Sequence, residues 1–247
     1  MTYEEALQYF EQTDLRGSYL GLEEISKVLD RLGNPEKQLK FVHIAGTNGK
    51  GSTAAMTASI LQKAGYTVGL YTSPYIYRFH ERMQVNGELI PDDELIEITE
   101  YIKPLADSMA ESPTEFELTT AIGFEFFKRR GCDIVVTEVG MGGALDSTNV
   151  IPVPEVAVIT NIGLDHVEIL GDTLEKIAET KSKIIKPGCG CVIYREPASV
   201  GAVFEARCAA VGADLTKADF DSIELLSASL EGQVFNWGGY KELHLPL

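Results

Sequence analysis

Four short stretches of the chain are apolar at almost every position: FVHIA (41–45), TVGLYTS (67–73), DIVVTEV (133–139) and VAVITNI (156–162). Runs of this length without alternation mark strands covered on both faces, as in a parallel sheet. Between them the apolar residues recur at helical spacing, over 50–64 after the first run, 91–110 and 114–130 before the third, and 173–185 after the fourth. A further strand, CGCVIY (189–194), leads into a helix over 199–211. Strands that alternate with helices predict an α/β fold whose mainly parallel sheet is flanked by helices. Ahead of this core, residues 2–32 read as two helices broken around DLRGSYLG, the second closed by the glycine and proline of RLGNPEKQLK. Beyond Asp219 the pattern changes to short alternating runs with turns, which predicts a small antiparallel β piece packed on the sheet edge. The expected organisation is an α/β core over 40–218 and a small β segment over 219–247; the pattern breaks off in mid-strand, so a continuation is expected.

Composition narrows the partners. With 45% hydrophobic and 23% charged residues the chain is of ordinary globular type, but its formal charge of −16 opposes a broad electrostatic footprint on nucleic acid or an anionic membrane. A phosphate-bearing ligand therefore has to be held locally. No apolar run approaches the roughly 18 residues of a membrane span. The N-terminus MTYEEALQYF is acidic and amphipathic, unlike a signal peptide, so a cytosolic protein is expected. Cys189 and Cys191 are separated by one residue instead of two, with no histidine near them; these two, Cys132 and Cys208 are expected to be free thiols in the core.

The candidate chemistry starts after the first strand, at Gly46-Thr47-Asn48-Gly49-Lys50-Gly51-Ser52. This is a glycine-rich loop between a strand and a helix, but not with the G-x-x-x-x-G-K-[ST] spacing of the common P-loop. Glycines let backbone N–H groups approach phosphate oxygens while the helix aims its positive end at them, Lys50 adds a point charge and Ser52 a hydroxyl. The plain alternative is a turn that needs glycine for its backbone angles. In an open α/β sheet ligands sit beyond the carboxyl ends of the strands. The other three runs end there in Thr72-Ser73-Pro74, in Glu138 and in Asn161 to His166, so each delivers polar or charged groups to that edge. A triphosphate carries about four negative charges, against one from Lys50 and about half of one from a helix terminus, so magnesium is implied. Glu138 fits as its carboxylate, the alternative being an ordinary salt bridge. His166 is either a metal ligand or a hydrogen-bonded structural residue.

Six segments taken together resemble the folylpolyglutamate synthase and dihydrofolate synthase family, relatives of the Mur ligases. They are GLEEISKVLDRLGNP, HIAGTNGKGST, YTSPYIYRFHERMQVNG, EFELTTAIGFEFF, EVGMGGALDSTNV and NIGLDHVEILGDTLEKIAETKSKIIKPG, and they span residues 21–188 in the family's order. The resemblance implies the N-terminal ATPase domain of an ATP-dependent ligase, with a fold like the Mur ligase central domain and a second domain further on. Such enzymes phosphorylate a carboxylate of dihydropteroate or a reduced folate, and the amine of L-glutamate then displaces phosphate from the acyl phosphate. It further implies that Gly46 to Ser52 hold the triphosphate of ATP, that Ser73 and Glu138 bind one Mg²⁺ and Glu138 with His166 a second, and that Lys181 is carbamylated. The pterin is expected near Phe116, which is alternatively a core aromatic, and Asp146. The loop TSPYIYRFHERMQVNG is expected to close over the site, its Tyr75, Tyr77 and Phe79 serving either as lid packing or as substrate contacts. The chain departs from the family at Ala144, where many relatives carry arginine, and at Thr180 and Lys183, where they carry glutamate and glycine. A monomer is expected. The rival readings are a nucleotide-binding module without turnover and a different P-loop phosphotransferase.

Overall fold

The computed structural model describes residues 1–14 and 21–246. The expected break at DLRGSYLG lies largely outside the described residues. On either side stand α1 (Tyr3–Asp14) and α2 (Glu23–Arg31). The core then runs through β1 (Phe41–Ala45), α3 (Lys50–Lys63), β2 (Val68–Tyr71), β3 (Met83–Val85) and β4 (Glu88–Leu89). It continues with α4 (Asp92–Asp107), α5 (Glu115–Arg129), β5 (Ile134–Glu138), β6 (Val156–Ile159), α6 (Val167–Leu170) and α7 (Leu174–Ser182). The sheet is completed by β7 (Gly190–Ile193) and β8 (Asp214–Lys217), with α8 (Ala198–Val211) between them. Three further strands, β9 (Glu224–Ser229), β10 (Gly232–Trp237) and β11 (Tyr240–Pro246), form a separate antiparallel sheet.

The large sheet has the order β4-β3-β2-β5-β1-β6-β7-β8; its six strands from β2 to β8 are parallel, and β3 and β4 add an antiparallel edge. The five apolar runs are therefore five of the six parallel strands. Their lack of alternation follows from covering on both faces. Val42 and Ile44 of β1 pack with Val136 and Ala54 under α3, whereas Phe41 faces the opposite cluster built by α1, α2, α4 and α5. On that second face the β6–β7 end is covered by α7 and α8 through Ala157, Ile159, Ile177, Ala178 and Phe204. All four cysteines are buried and free.

Three elements differ from the sequence reading. The segment read as one closing loop contains a hairpin, because Asn86 (φ 51°) and Gly87 (φ 84°) form a two-residue turn between β3 and β4. The Asn-Gly pair was its signal, obscured by strands of only three and two residues. Strand β8 is polar and mostly exposed, and its pairing with β7 defines it, which no apolar pattern announces. The small antiparallel sheet is present but its first strand is exposed throughout. Its connection to the core runs through the preceding segment, where Phe220 packs on Tyr194 at 4.8 Å and Asp221 pairs with Arg195 at 2.6 Å.

Candidate active site

β1 lies between β5 and β6 with Ile44 level with both Glu138 and Val158, so three strands release their chains at one height. The loop that follows β1 is strapped to the one that follows β6. Thr47 N–H donates to the Asn161 carbonyl (2.8 Å), Asn48 N–H donates to Asn161 Oδ1 (2.9 Å), and Gly163 N–H donates to Thr47 Oγ1 (2.9 Å). Thr160 Oγ1 donates to the Asn48 carbonyl at 2.8 Å. Gly46 has φ +156°, and a Cβ built on it would lie 1.7 Å from Thr160 Oγ1. Gly49 has φ +79° and stands where a side-chain cap would, so the N-cap residue of α3 closes none of its first N–H groups. Those donors have no intrahelical partner and point out of the helix, the arrangement that receives an anion.

Glu138 at the end of β5 is 5% exposed and meets this loop directly. Its Oε2 accepts from Ser73 N–H at 3.1 Å, and a Cβ on Gly51 would lie 3.3 Å from the same oxygen. Burial raises the Glu138 pKa; the Ser73 N–H, the Lys50 charge and the Gly51 N–H pull it back down. Lys50 Nζ donates to the Thr47 carbonyl at 3.1 Å. Residues from α3, the β2 end and β5 thus meet at one point: Gly51, Lys50, Ser73 and Glu138.

Lys181, buried on α7, belongs to the same neighbourhood. Its Nζ donates to the Gly46 carbonyl at 2.8 Å. Its pKa is lowered to about 8, by burial first and by the charge of Lys50 second, with Asp165 and Asp146 opposing them. His166 stands differently. Its side chain is 54% exposed, its backbone is left-handed (φ 49°), and its Nε2 lies 3.7 Å from Asp165 Oδ2. Among the described residues no hydrogen bond or ion pair joins His166 to Glu138, and no group of three or more His, Cys, Asp or Glu side chains gathers as a metal site. Glu138 and Ser73 are brought together; His166 stands apart at the rim, next to Asp165, which the sequence reading passed over.

Beside Ser73 opens a cleft of about 260 Å³ lined by Phe116, Gly140, Leu145 and Asp146 among others. Phe116 is fixed at the start of α5 by a capping box: Glu117 N–H donates to Thr114 Oγ1, and Thr114 N–H donates to Glu117 Oε2. Asp146 is buried and its pKa is raised by that burial. Both of its oxygens are engaged within the chain, Oδ2 by Met141 N–H (2.8 Å), Oδ1 by Thr148 N–H (3.0 Å) and by the Thr148 hydroxyl. Its first task is therefore to shape the cleft's 140–148 wall. The Thr148 hydroxyl also meets Nε2 of His43 at 2.8 Å, so a chain of bonds runs from the centre of β1 to this wall.

His43, absent from the sequence reading of the site because it hides in an apolar run, has its pKa lowered to about 3 by burial and then by the charge of Lys186. A histidine held neutral in the fold must bind a proton on unfolding in acid. The unfolded state then binds more protons between pH 3 and 6.5, so stability is lost as pH falls through that window. From pH 7.5 to 5 this group should cost about 2 kcal/mol. Urea midpoints of the wild type and of His43→Gln at the two pH values test this: the variant should lose that part of the slope, and parallel slopes would refute it.

A strand–loop–helix phosphate cradle with a buried carboxylate facing it, at the carboxyl edge of a parallel sheet, is the arrangement of a P-loop type nucleotide-binding domain. The Mur ligase middle domain matches residues 44–207. The chain belongs to the Mur ligase family, in its folylpolyglutamate synthase and dihydrofolate synthase branch. It is 49% identical over 173 residues to a dihydrofolate synthase/folylpolyglutamate synthase of Bacillus subtilis, covering 68% of this chain and 40% of the relative. To the folylpolyglutamate synthase of Lacticaseibacillus casei it is 37% identical over 257 residues, covering 100% of this chain and 60% of the relative. Among solved structures, a folylpolyglutamate synthase complex with AMPPCP and folate matches with a TM-score of 0.90 at 35% identity, over 100% of this chain and 62% of the other. The Mycobacterium tuberculosis folylpolyglutamate synthase with ADP matches with 0.88 at 34%, over 98% and 57%. The chain thus spans between two fifths and three fifths of the length of these relatives.

Proposed function

We propose that this chain is the ATP-binding part of a ligase that joins L-glutamate to the carboxylate of a pterin-bearing acceptor, dihydropteroate or a reduced folate. The observation that carries this reading is the meeting of Lys50, Gly51, Ser73 and Glu138 beside a cleft walled by Phe116 and Asp146. Phosphate site and acceptor cleft share Ser73. The folylpolyglutamate synthase that it resembles has been solved with an ATP analogue and folate together.

In this reading the loop 46–52 holds the triphosphate of ATP: its N–H groups and the α3 terminus face the phosphates, and Lys50 supplies positive charge toward the transferred group. The strap between Thr47, Asn48, Thr160, Asn161 and Gly163 keeps the cradle in shape before ligand arrives. An acceptor carboxylate oxygen attacks the terminal phosphorus and ADP leaves; the glutamate amine then attacks the acyl carbon and phosphate leaves. The chemistry of the donor set fits magnesium: one buried carboxylate, Glu138, with the hydroxyls of Ser73 and Ser52, leaves the rest of a hard cation's shell to water and phosphate. Bound there, Mg²⁺ would screen the repulsion between carboxylate and phosphate. His166 would join a second cation only from its exposed position next to Asp165. Lys181, whose pKa is brought down to about 8 chiefly by burial, has a fraction of neutral amine able to attack CO₂ and release a proton, which gives the anionic carbamate; ¹³C NMR of the full-length protein in ¹³CO₂ should show the adduct, and Lys181→Arg should abolish it. Among the described residues no helix is long and apolar enough to cross a membrane; the proposed enzyme is a cytosolic monomer acting on small molecules.

The test is the full-length protein with labelled glutamate and, separately, dihydropteroate and tetrahydrofolate. ADP and phosphate should appear only when glutamate and an acceptor are both present, and the two arms decide between dihydrofolate synthesis, polyglutamate extension and both. Hydrolysis indifferent to both substrates would replace this reading with another P-loop phosphotransferase. Binding of Mg-ATP without a glutamylated product would replace it with a nucleotide-binding module.

A further inference from the structure

Arg82 precedes β3 and lines the same cleft as Ser73 and Phe116. It is 7% exposed, and two of its three guanidinium nitrogens, Nε and Nη1, are buried without any hydrogen-bond acceptor among the described residues. The third, Nη2, lies 3.3 Å from Glu115 Oε1. The rings of Tyr75 and Phe79 lie 5.3 and 5.6 Å from the guanidinium carbon and offset part of its charge, but an aromatic face supplies no carboxylate-like acceptor. A buried donor left unmade is costly, and a guanidinium has five N–H groups to satisfy in a rigid fork. The shape of such a fork matches a planar anion. The backbone holds it there independently of any ligand: the Arg82 carbonyl accepts from Thr72 N–H at 3.0 Å, and β3 pairs with β2 directly after it.

The position of this fork decides what it would receive. Ser73, on the same cleft, touches the carboxylate that faces the phosphate loop, while Phe116 and Asp146 wall the other side. The anion-seeking group therefore sits in the compartment through which an acceptor must present its carboxylate to the phosphate. Asp146 does not compete for Arg82, since both its oxygens are bound within the chain. Tyr75 is half exposed and heads a stretch whose Ile76, Tyr77 and Arg78 N–H groups all donate to the Glu81 carboxylate, so opening the site asks for a turn of the Tyr75 side chain and not of the backbone.

We propose that Arg82 is the residue that receives the acceptor's carboxylate, its Nε and Nη1 edge taking the two oxygens once Tyr75 turns aside. This rests on the ligase reading above. It makes Arg82 a specificity-determining residue for anionic acceptors, distinct from the loop that holds ATP.

The experiment uses the full-length protein and whichever acceptor it glutamylates, dihydropteroate or tetrahydrofolate, compared with the carboxamide at the same carboxyl group. With AMPPCP and magnesium present, the wild type should bind the acid about 10- to 100-fold more tightly than the amide, the range expected for hydrogen bonds to a charged group. Arg82→Gln should bring that ratio close to one and raise the acceptor KM while the ATP KM is unchanged; Arg82→Lys, which keeps the charge but not the fork, should fall between. A wild-type ratio near one overturns the proposal even if the variant does not fold. A ratio in Arg82→Gln equal to that of the wild type overturns it as well. A full-length protein that glutamylates neither acceptor overturns the ligase reading first, and the assignment of Arg82 with it.

Discussion

Lys50→Ala should lower glutamate-dependent ADP formation by about three orders of magnitude or more while the protein stays folded. Lys50 stands in the first turn of α3, within reach of Glu138 and Lys181, and its side chain donates, among the described residues, to the Thr47 carbonyl on the same loop. Removing it deletes the cradle's positive side chain but no packed core contact, so the melting temperature should move by only a few degrees. A second consequence separates loss of charge from loss of shape. Without the neighbouring ammonium, Glu138 and Lys181 both gain protons more readily, since Lys50 pulls both their pKa values down. Turnover within tenfold of the wild type would show that the loop does not hold the transferred phosphate.

Gly46→Ala should be the most damaging single methyl group in the chain. Its Cβ would lie 1.7 Å from Thr160 Oγ1, 2.9 Å from Thr160 Cβ and 3.3 Å from Thr160 Cα, and the backbone angle of +156° is one that side chains rarely adopt. Rotation of the threonine hydroxyl removes only the first of these contacts. The backbone of β1 or β6 therefore has to move, and with it the bonds that tie Asn48 to Thr160 and Asn161. A destabilisation of about 2–4 kcal/mol is expected, read from urea midpoints, together with loss of nucleotide affinity. Thr160→Gly removes the obstructing atoms, so the double variant should be more stable than the sum of the two single losses predicts. Strict additivity would mean that the two residues do not collide.

Much of this architecture can be read along the chain. The five apolar runs become five of the six parallel strands because a strand covered on both faces has no polar positions to spare, and the helix periods between them become α3, α4, α5, α7 and α8 within a few residues of the expected ends. The glycine loop after FVHIA, the carboxylate after DIVVT and the polar group after YT could all be placed at one edge, since a parallel sheet puts every strand's carboxyl end on the same side. The hairpin of β3 and β4 and the edge strand β8 escaped, because their strands are too short or too polar for periodicity to register.

The residues that complete the site were harder to see for a different reason. His43 looks like a polar interruption of a buried strand until the fold lays Thr148 and Asp146 over it. Arg82 is one of several charges in a polar segment until the β2–β3 pairing turns it into a cleft wall with two unmatched donors. His166 and Glu138 both stand at strand ends, but strand order and a left-handed backbone leave one exposed and the other enclosed. Residue type and spacing specify elements and the edge at which they finish, because propensity and apolar period are local properties of the chain. Which side chains meet across that edge, and which are left without a partner, depends on strand order, register and burial, and those arise only when distant segments pack together.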